Sequence, residues 1–152
     1  MSTSVAESID AVFPDVMQKF AFSFVENCDK SELACPENGY IARVTFKGHG
    51  TGQTLVALPA DMGAELAANI MGLEPGCDEA RECATDSICE LGNLICGNLL
   101  QATAGANTVF DLSAPEVSKL TPELWAELIK DESVRPYLVD AQHPVLLKFA
   151  LS

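Results

Sequence analysis

The sequence predicts an α+β protein of one domain, residues 1–152, in which a mostly antiparallel β-sheet is packed with two long helices plus an N-terminal helix. Three observations predict this class. Hydrophobic residues make up 48% of the chain and charged residues 20%, a balance typical of a protein with a packed core. Short segments with strand character outnumber helical segments. Two helical segments also follow one another without a strand between them, which does not fit a βαβ winding.

The first part of the chain predicts a helix, a loop and a hairpin. Apolar residues recur at helical spacing over Val5–Lys19, and the alternation over Phe20–Val25 then indicates a strand. Cys28–Gly39 is polar and contains proline and glycine, which indicates a loop. Tyr40–Phe46 and Thr54–Leu58 have the composition of strands and are joined through KGHGTGQ. This glycine-rich segment predicts a hairpin turn and not a phosphate-binding loop, because a strand follows it instead of a helix N-terminus.

The rest of the chain predicts two consecutive helices and then a mixture of strands and one short helix. Met62–Met71 predicts a helix that ends at Gly72, and a long helix follows from about Asp78 to Thr103. The remaining segments are a strand at Val109–Leu112, a short helix at Pro122–Lys130, and strands at Val134–Val139 and Val145–Leu151. The last strand is apolar: either it forms an exposed sheet edge that needs covering, or it is already covered within the monomer, and the sequence does not choose between the two.

The formal net charge is −13, from 9 Lys and Arg against 22 Asp and Glu. Nucleic acid and an anionic membrane surface are disfavoured as partners, because both are bound through clustered basic residues and none cluster here. A protein partner, or a site containing a metal cation, fits this charge better. No apolar run approaches the ~18 to 20 residues that span a bilayer, and MSTSVAESID lacks the features of a secretory signal. We expect a cytoplasmic protein.

Cysteine spacing does not predict a metal or redox site. No pair has the C-x2-C spacing of a zinc knuckle, and His49 and His143 lie far apart in sequence. We therefore expect no metal site and six free thiols that behave as small hydrophobic residues. The alternative is a thiol or metal protein that uses Cys83, Cys89 and Cys96. Thiol titration and metal analysis distinguish these hypotheses.

A row of polar residues runs along the predicted long helix, opposite its apolar face. At 100° per residue, one stripe consists of Ala84, Ile88, Leu91, Ile95 and Leu99. The opposite stripe consists of Asp86, Glu90, Asn93 and Gly97. Gly92 and Gly97 each cost about 1 kcal/mol relative to alanine in a helix, and we expect them to leave the surface around Asn93 open to contact. The alternative is an ordinary solvated face of an amphipathic helix.

Asp86-x3-Glu90-x2-Asn93, followed by Pro115, resembles the signature of the CheX/CheC/FliY family of chemotaxis phosphatases. The order of the surrounding elements is similar too: a hairpin with glycine at its turn, a helix ending MGLEP, the helix with ELGNLICGN, and then VFDLSAPEV. The resemblance covers Tyr40–Val117 and extends more loosely to the C-terminus. The gap between Asn93 and Pro115 is 21 residues, one shorter than is usual in the family.

CheC-type members carry two copies of this signature, and the earlier helix offers only an imperfect copy. Asp61, Glu65 and Asn69 follow one another with three residues in the last gap instead of two. The longer gap rotates Asn69 by about 100° from the direction in which a second active amide would project. We therefore expect one working site, which makes the chain more similar to CheX than to CheC.

The resemblance implies a phosphatase that hydrolyses the aspartyl phosphate of a CheY-type response-regulator receiver domain, in chemotaxis or related two-component signalling. It implies that Asn93 positions the attacking water and that Glu90 contacts a lysine of the receiver. Asp86 and Gly97 are expected to contact the partner. No cofactor of the chain's own is expected, since the receiver would supply Mg²⁺, and a homodimer through sheet edges is expected. The alternative is a non-catalytic receiver-binding adapter domain with the same fold.

Overall fold

The computed structural model describes residues 4–74, 76–105 and 107–151. Five helices, seven strands and a short 3₁₀ helix at Lys30–Glu32 are present in these ranges. The helices are α1 (Val5–Ala21), α2 (Ala60–Met71), α3 (Asp78–Glu82), α4 (Ala84–Ala104) and α5 (Pro122–Lys130). The strands are β1 (Val25–Asn27), β2 (Gly39–Gly48), β3 (Thr51–Pro59), β4 (Phe110–Leu112), β5 (Glu116–Lys119), β6 (Arg135–Val139) and β7 (His143–Leu151).

The strands form one antiparallel sheet in the order β1-β6-β7-β3-β2. On the side of β2 away from β3, its C-terminal end pairs with β4 and its N-terminal half pairs with β5. The predicted α+β class with a mostly antiparallel sheet is therefore confirmed. Of the two alternatives for the last strand, the structure shows a strand that is covered within the monomer, because β7 pairs with β3 on one side and with β6 on the other. Its apolar character reflects burial on both faces of the sheet: Val145, Leu146 and Leu147 are each at most 1% exposed.

Helices cover both faces of the sheet, and the alternation of side chains along the central strands divides the core in two. In β3, Val56 and Leu58 belong to the larger cluster with α1, α2 and α4. Leu55 and Ala57 belong to a smaller cluster on the other face, together with Trp125 of α5. Because side chains in a strand alternate between the two faces, the single strand β3 contributes residues to both layers of the core. The larger layer is the one that supports α4.

Two predicted segments differ from the structure near helix ends. The single long helix predicted from Asp78 is interrupted at Cys83, which has ψ 1° and separates α3 from α4. Beside this break, Ala80 of α3 packs against Ala67 and Ala68 of α2, a tertiary contact that no helical period reveals. The prediction of one continuous helix is wrong at that residue.

The predicted switch into a strand at Phe20 is also wrong, because α1 continues to Ala21. Phe22 then adopts a left-handed conformation (φ 55°, ψ 34°), and its N–H and that of Ser23 both donate to the Met17 carbonyl oxygen. The helix therefore ends at a residue in the left-handed region, a position that normally favours glycine. The alternation of phenylalanines therefore indicated a strand where the backbone forms a helix end, and β1 begins only at Val25.

Strand β5 was not predicted from the sequence. Its four residues pair with β2, with Tyr40 opposite Lys119 and Arg43 opposite Glu116. In the neighbouring β4, Leu112 is opposite Phe46. Two residues of β2 therefore face the three residues 113–115, so the chain bulges between β4 and β5. The hairpin between β2 and β3, the helix α5 and the helix end at Gly72 (φ 69°) agree with the sequence prediction.

Within the described residues, none of the helices is sufficiently long and apolar to cross a membrane.

Candidate functional site

The rotation of α4 about its axis is set by its apolar stripe. Ile88, Leu91, Ile95 and Leu99 are each at most 2% exposed and belong to the core between the helices and the sheet. The helix contacts α1, α2, β2, β3 and β5. Because residues three or four positions apart share a helix face, burial of this stripe turns the opposite side of α4 outward.

The structure places all four residues of the predicted polar row on that outward side. Asp86 and Glu90 are exposed, and Asn93 and Gly97 are partly exposed. Within the described residues, the side chains of Asp86, Glu90 and Asn93 make no hydrogen bond or ion pair. By contrast, Asn98 on the same helix donates from Nδ2 to the Leu94 carbonyl oxygen at 2.7 Å. The row therefore presents two carboxylates and one amide whose hydrogen-bonding groups are open to an approaching molecule.

The two glycines of α4 lie in different surroundings. A Cβ added at Gly97 would meet no atom within 4 Å, so the surface one turn beyond Asn93 is open. Gly92 is buried and faces the sheet, where a Cβ would lie 3.4 Å from Val44 Cγ2 and 3.7 Å from Ala42 Cβ. The expectation that Gly92 opens the surface around Asn93 is wrong, because consecutive helical residues are about 100° apart and Gly92 points inward.

The segment that contains Pro115 is held against β2 next to α4. Thr45 N–H donates to Ser113 Oγ at 3.0 Å, and Ser113 N–H donates to the Thr45 carbonyl oxygen at 2.8 Å. These two bonds pin the bulged chain between β4 and β5, and α4 contacts β5 just beyond it. A proline in this bulge costs no ladder hydrogen bond, which is the situation in which a sheet tolerates it.

The second polar row, on α2, is engaged within the chain. Glu65 Oε2 lies 2.6 Å from His143 Nε2, and Asn69 Nδ2 donates to the Ala21 carbonyl oxygen at 2.8 Å. Asp61 is exposed. Sequence reasoning missed His143 as the partner of Glu65, and no local signal could have identified it, because 78 residues separate the two positions.

The two cysteines of α4 differ in burial. Cys89 is partly exposed. Its partial burial, and to a smaller extent the nearby Asp86 carboxylate, raise the pKa of its thiol. Cys96 is fully buried, and burial raises the pKa of that thiol as well. All six cysteines are free thiols. Among residues 4–74, 76–105 and 107–151, no group of three or more His, Cys, Asp or Glu side chains is arranged to hold a metal ion.

Comparison with known families gives a match that covers more than half of this chain. The family model "Chemotaxis phosphatase CheX" matches residues 40–134, which is more than half of the sequence. That range includes α4 with its polar row and the bulge with Pro115. A comparison with curated proteins finds no significant match.

Solved structures of similar fold come from several bacteria. A CheX from Vibrio vulnificus is 17% identical with a TM-score of 0.69, covering 99% of this chain and 100% of that one. The CheX-CheY-BeF3-Mg²⁺ complex from Borrelia burgdorferi gives 17% identity and a TM-score of 0.66, covering 97% of each chain. A CheC-like protein from Shewanella sp. PV-4 gives 14% identity and a TM-score of 0.59, covering 99% of each chain. At these identities the likeness shows the fold.

Proposed function

The chain belongs to the CheX family of chemotaxis phosphatases, and from this premise we propose that it dephosphorylates the aspartyl phosphate of a CheY-type receiver domain in the cytoplasm. The observation that carries the proposal is the side chain of Asn93, which lies on the outward face of α4 without a hydrogen-bond partner among the described residues. The buried stripe on the opposite face fixes the orientation of α4 and therefore the side from which this amide projects.

The proposed role of Asn93 is to position the water that attacks phosphorus. An aspartyl phosphate is already activated, so the visiting protein must mainly orient a water in line with the phosphorus. An amide has both a carbonyl acceptor and an NH₂ donor, and it carries no charge into an anionic site. A carboxylate in the same place would be repelled by the phosphoryl group. The chemistry therefore favours Asn93, and not Glu90, as the residue nearest the reacting atoms.

Glu90 is proposed to anchor the receiver through a lysine. It lies one turn before Asn93, is exposed, and has no cationic partner in the described part of the chain. A single lysine on the receiver would satisfy this carboxylate and set the register in which the phosphoryl group meets Asn93. Asp86 lies one turn further along the same face, where it is proposed to contact the partner at the rim.

We propose that Mg²⁺ belongs to the receiver and that this chain has no cofactor of its own. The Borrelia burgdorferi CheX was crystallised with CheY, BeF3 and Mg²⁺. The net charge of −13 opposes association with an acidic phosphoryl site unless a cation offsets it. Binding to a receiver that carries beryllofluoride should therefore weaken when Mg²⁺ is removed with EDTA. Unchanged affinity after chelation would contradict this part of the proposal.

A homodimer through sheet edges, which the family resemblance implies, remains a prediction, although the last strand is interior and cannot be the edge involved. The edges of the described sheet are β1 at one end and β4 with β5 at the other. Light scattering on the purified protein measures the mass directly. A monomer at working concentration would rule the dimer out.

The first experiment is the decay of a phosphorylated CheY-type receiver from the same genome, with and without the protein. We expect the wild type to accelerate the decay. Asn93→Ala should accelerate it about 10²–10³-fold less than the wild type, as is common when a positioned hydrogen-bonding group is removed. Asn98→Ala is the matched control, because it removes an amide that is bonded within α4. Binding without acceleration would instead identify a receiver-binding adapter domain.

A further inference from the structure

We infer that Gly97 is a clearance position, at which uncharged polypeptide backbone of the bound receiver approaches α4 too closely for a side chain. The inference rests on the proposed function and deepens it, because it states what kind of group meets Gly97, which the sequence predicted only as a contact with the partner. The starting observation is a glycine inside a 21-residue helix at a place where a Cβ would meet no atom within 4 Å.

The described fold offers no internal reason for glycine at position 97. Glycines at 72, 76 and 105 have positive φ, which favours glycine in any protein. Gly63 lies at the crossing of α2 and α4, where a Cβ would come 2.7 Å from Ile88 Cδ1. Gly97 has helical geometry and open space around it instead. Glycine is among the poorest helix formers, so this position lowers helix stability without any return in packing.

The position of Gly97 relative to Asn93 connects it to the proposed site. The two residues are four apart and therefore lie one turn apart on the same face of α4, about 6 Å from each other. A group that comes within hydrogen-bond distance of the Asn93 amide brings its neighbouring backbone over this next turn. A side chain at position 97 would meet that backbone first, whereas glycine lets it reach the helix surface.

The charge distribution along the row gives this contact a direction. The N-terminal half of the face carries Asp86 and Glu90, whereas the half beyond Asn93 presents Gly97 without a charge. A cation of the receiver is therefore suited to the N-terminal half, and uncharged backbone to the C-terminal half. Glu90 and Gly97 would then fix the two ends of the contact, with Asn93 and the phosphoryl group between them.

Gly92 provides a matched control on the same helix. Gly92→Ala adds the same methyl group and removes the same helix-disfavouring residue, but its Cβ would make ordinary contact with Val44 on the buried side, 3.4 Å from Cγ2. We expect Gly97→Ala to melt about 2–4 °C above the wild type, and Gly92→Ala no lower than the wild type. Of these two variants, only Gly97→Ala should raise KM for the phosphorylated receiver. We expect a rise of about tenfold, with kcat changed less than about twofold.

A graded series tests whether the effect depends on size at this position. Gly97→Leu should raise KM by about a hundredfold or more, while Ala102→Leu, an exposed position of α4 outside the row, should leave KM unchanged. A stabilised Gly97→Ala with unchanged KM, together with an unchanged Gly97→Leu, would overturn the clearance role. If the Gly97 variants overturn the clearance role, a loss of activity in Asn93→Ala would still support the proposed phosphatase function.

The same variants distinguish the two proposals if the wild type does not accelerate decay. Affinity for a receiver carrying beryllofluoride and Mg²⁺ is then the readout. Weaker binding of Gly97→Ala and Gly97→Leu, but not of Gly92→Ala, would support clearance in a non-catalytic complex. Equal binding of all four proteins, or no binding by the wild type, would overturn it.

Discussion

The side-chain amide of Asn69 donates a hydrogen bond to the carbonyl oxygen of Ala21 over 2.8 Å. This bond ties the last turn of α2 to the end of α1, at a carbonyl without a helical partner that also accepts from Ser23 Oγ at 3.3 Å. The amide of Asn93 on α4 has no such partner in the described ranges. The same residue type therefore has an internal structural contact on one helix and faces outward on the other, which supports a single proposed site.

Replacing Asn69 with alanine should lower the free energy of unfolding and leave receiver dephosphorylation unchanged. We expect a loss of about 0.5–1 kcal/mol, the size of one partly exposed hydrogen bond. Urea unfolding measures the stability, and the receiver decay assay measures the activity. A rate loss of tenfold or more in folded Asn69→Ala would show that the row on α2 takes part in function.

Glu90→Gln should weaken receiver binding without removing the chemistry. If Glu90 anchors a lysine, loss of its charge raises KM by about tenfold, corresponding to ~1.4 kcal/mol, with little change in kcat. The effect should shrink at high salt, because screening weakens the wild-type contact. Asp86→Asn is the comparison, with a smaller increase in KM. A large fall in kcat with an altered pH profile would indicate that Glu90 acts as a general base instead.

Asp131 should make the protein less stable in acid. Its carboxylate accepts from Lys148 Nζ at 2.6 Å and from Ser133 Oγ at 2.7 Å. The bond from Lys148 and then those from Ser133 hold the pKa of Asp131 well below its usual range. A lowered pKa in the folded state contributes stability above the ordinary value of about 4, and this stability is lost as pH falls below that value.

The variant Asp131→Asn tests this contribution by unfolding in urea at pH 7 and at pH 3. Because the pair is partly exposed, we expect the wild type to lose about 1 kcal/mol more than the variant between the two pH values. Lys148→Met should lie between the wild type and Asp131→Asn, because the bonds from Ser133 to Asp131 remain. If all three proteins lost the same free energy of unfolding between pH 7 and pH 3, Asp131 would not be a source of the acid sensitivity.

The thiols should differ in reactivity according to burial. Cys96 is 0% exposed and burial raises its pKa, so its thiolate is scarce and its access to reagent requires opening of the core. With an aromatic disulfide reagent we expect five cysteines to react in the folded protein and Cys96 to react last. All six should react in denaturant, and metal analysis should find no stoichiometric ion. Fewer than six thiols in denaturant without reductant would reveal a disulfide.

The sequence alone was sufficient for features that depend on neighbouring residues. The hairpin between β2 and β3, the end of α2 at Gly72 and the bounds of α5 follow from local composition and were predicted. The face on which Asp86, Glu90 and Asn93 lie was predictable as well, because the helical period relates them to a buried stripe only a few residues away.

Tertiary structure alone decided which of these features are internal and which are open. It put β7 inside the sheet, turned Gly92 toward Val44, paired Glu65 with His143 and bonded Asn69 to Ala21. The pairing of β7 with β3 and the other three contacts join residues that lie 48 or more positions apart, and burial, not local preference, selects them. Periodicity specifies the direction of a side chain relative to its own helix or strand, and only packing specifies what that side chain meets.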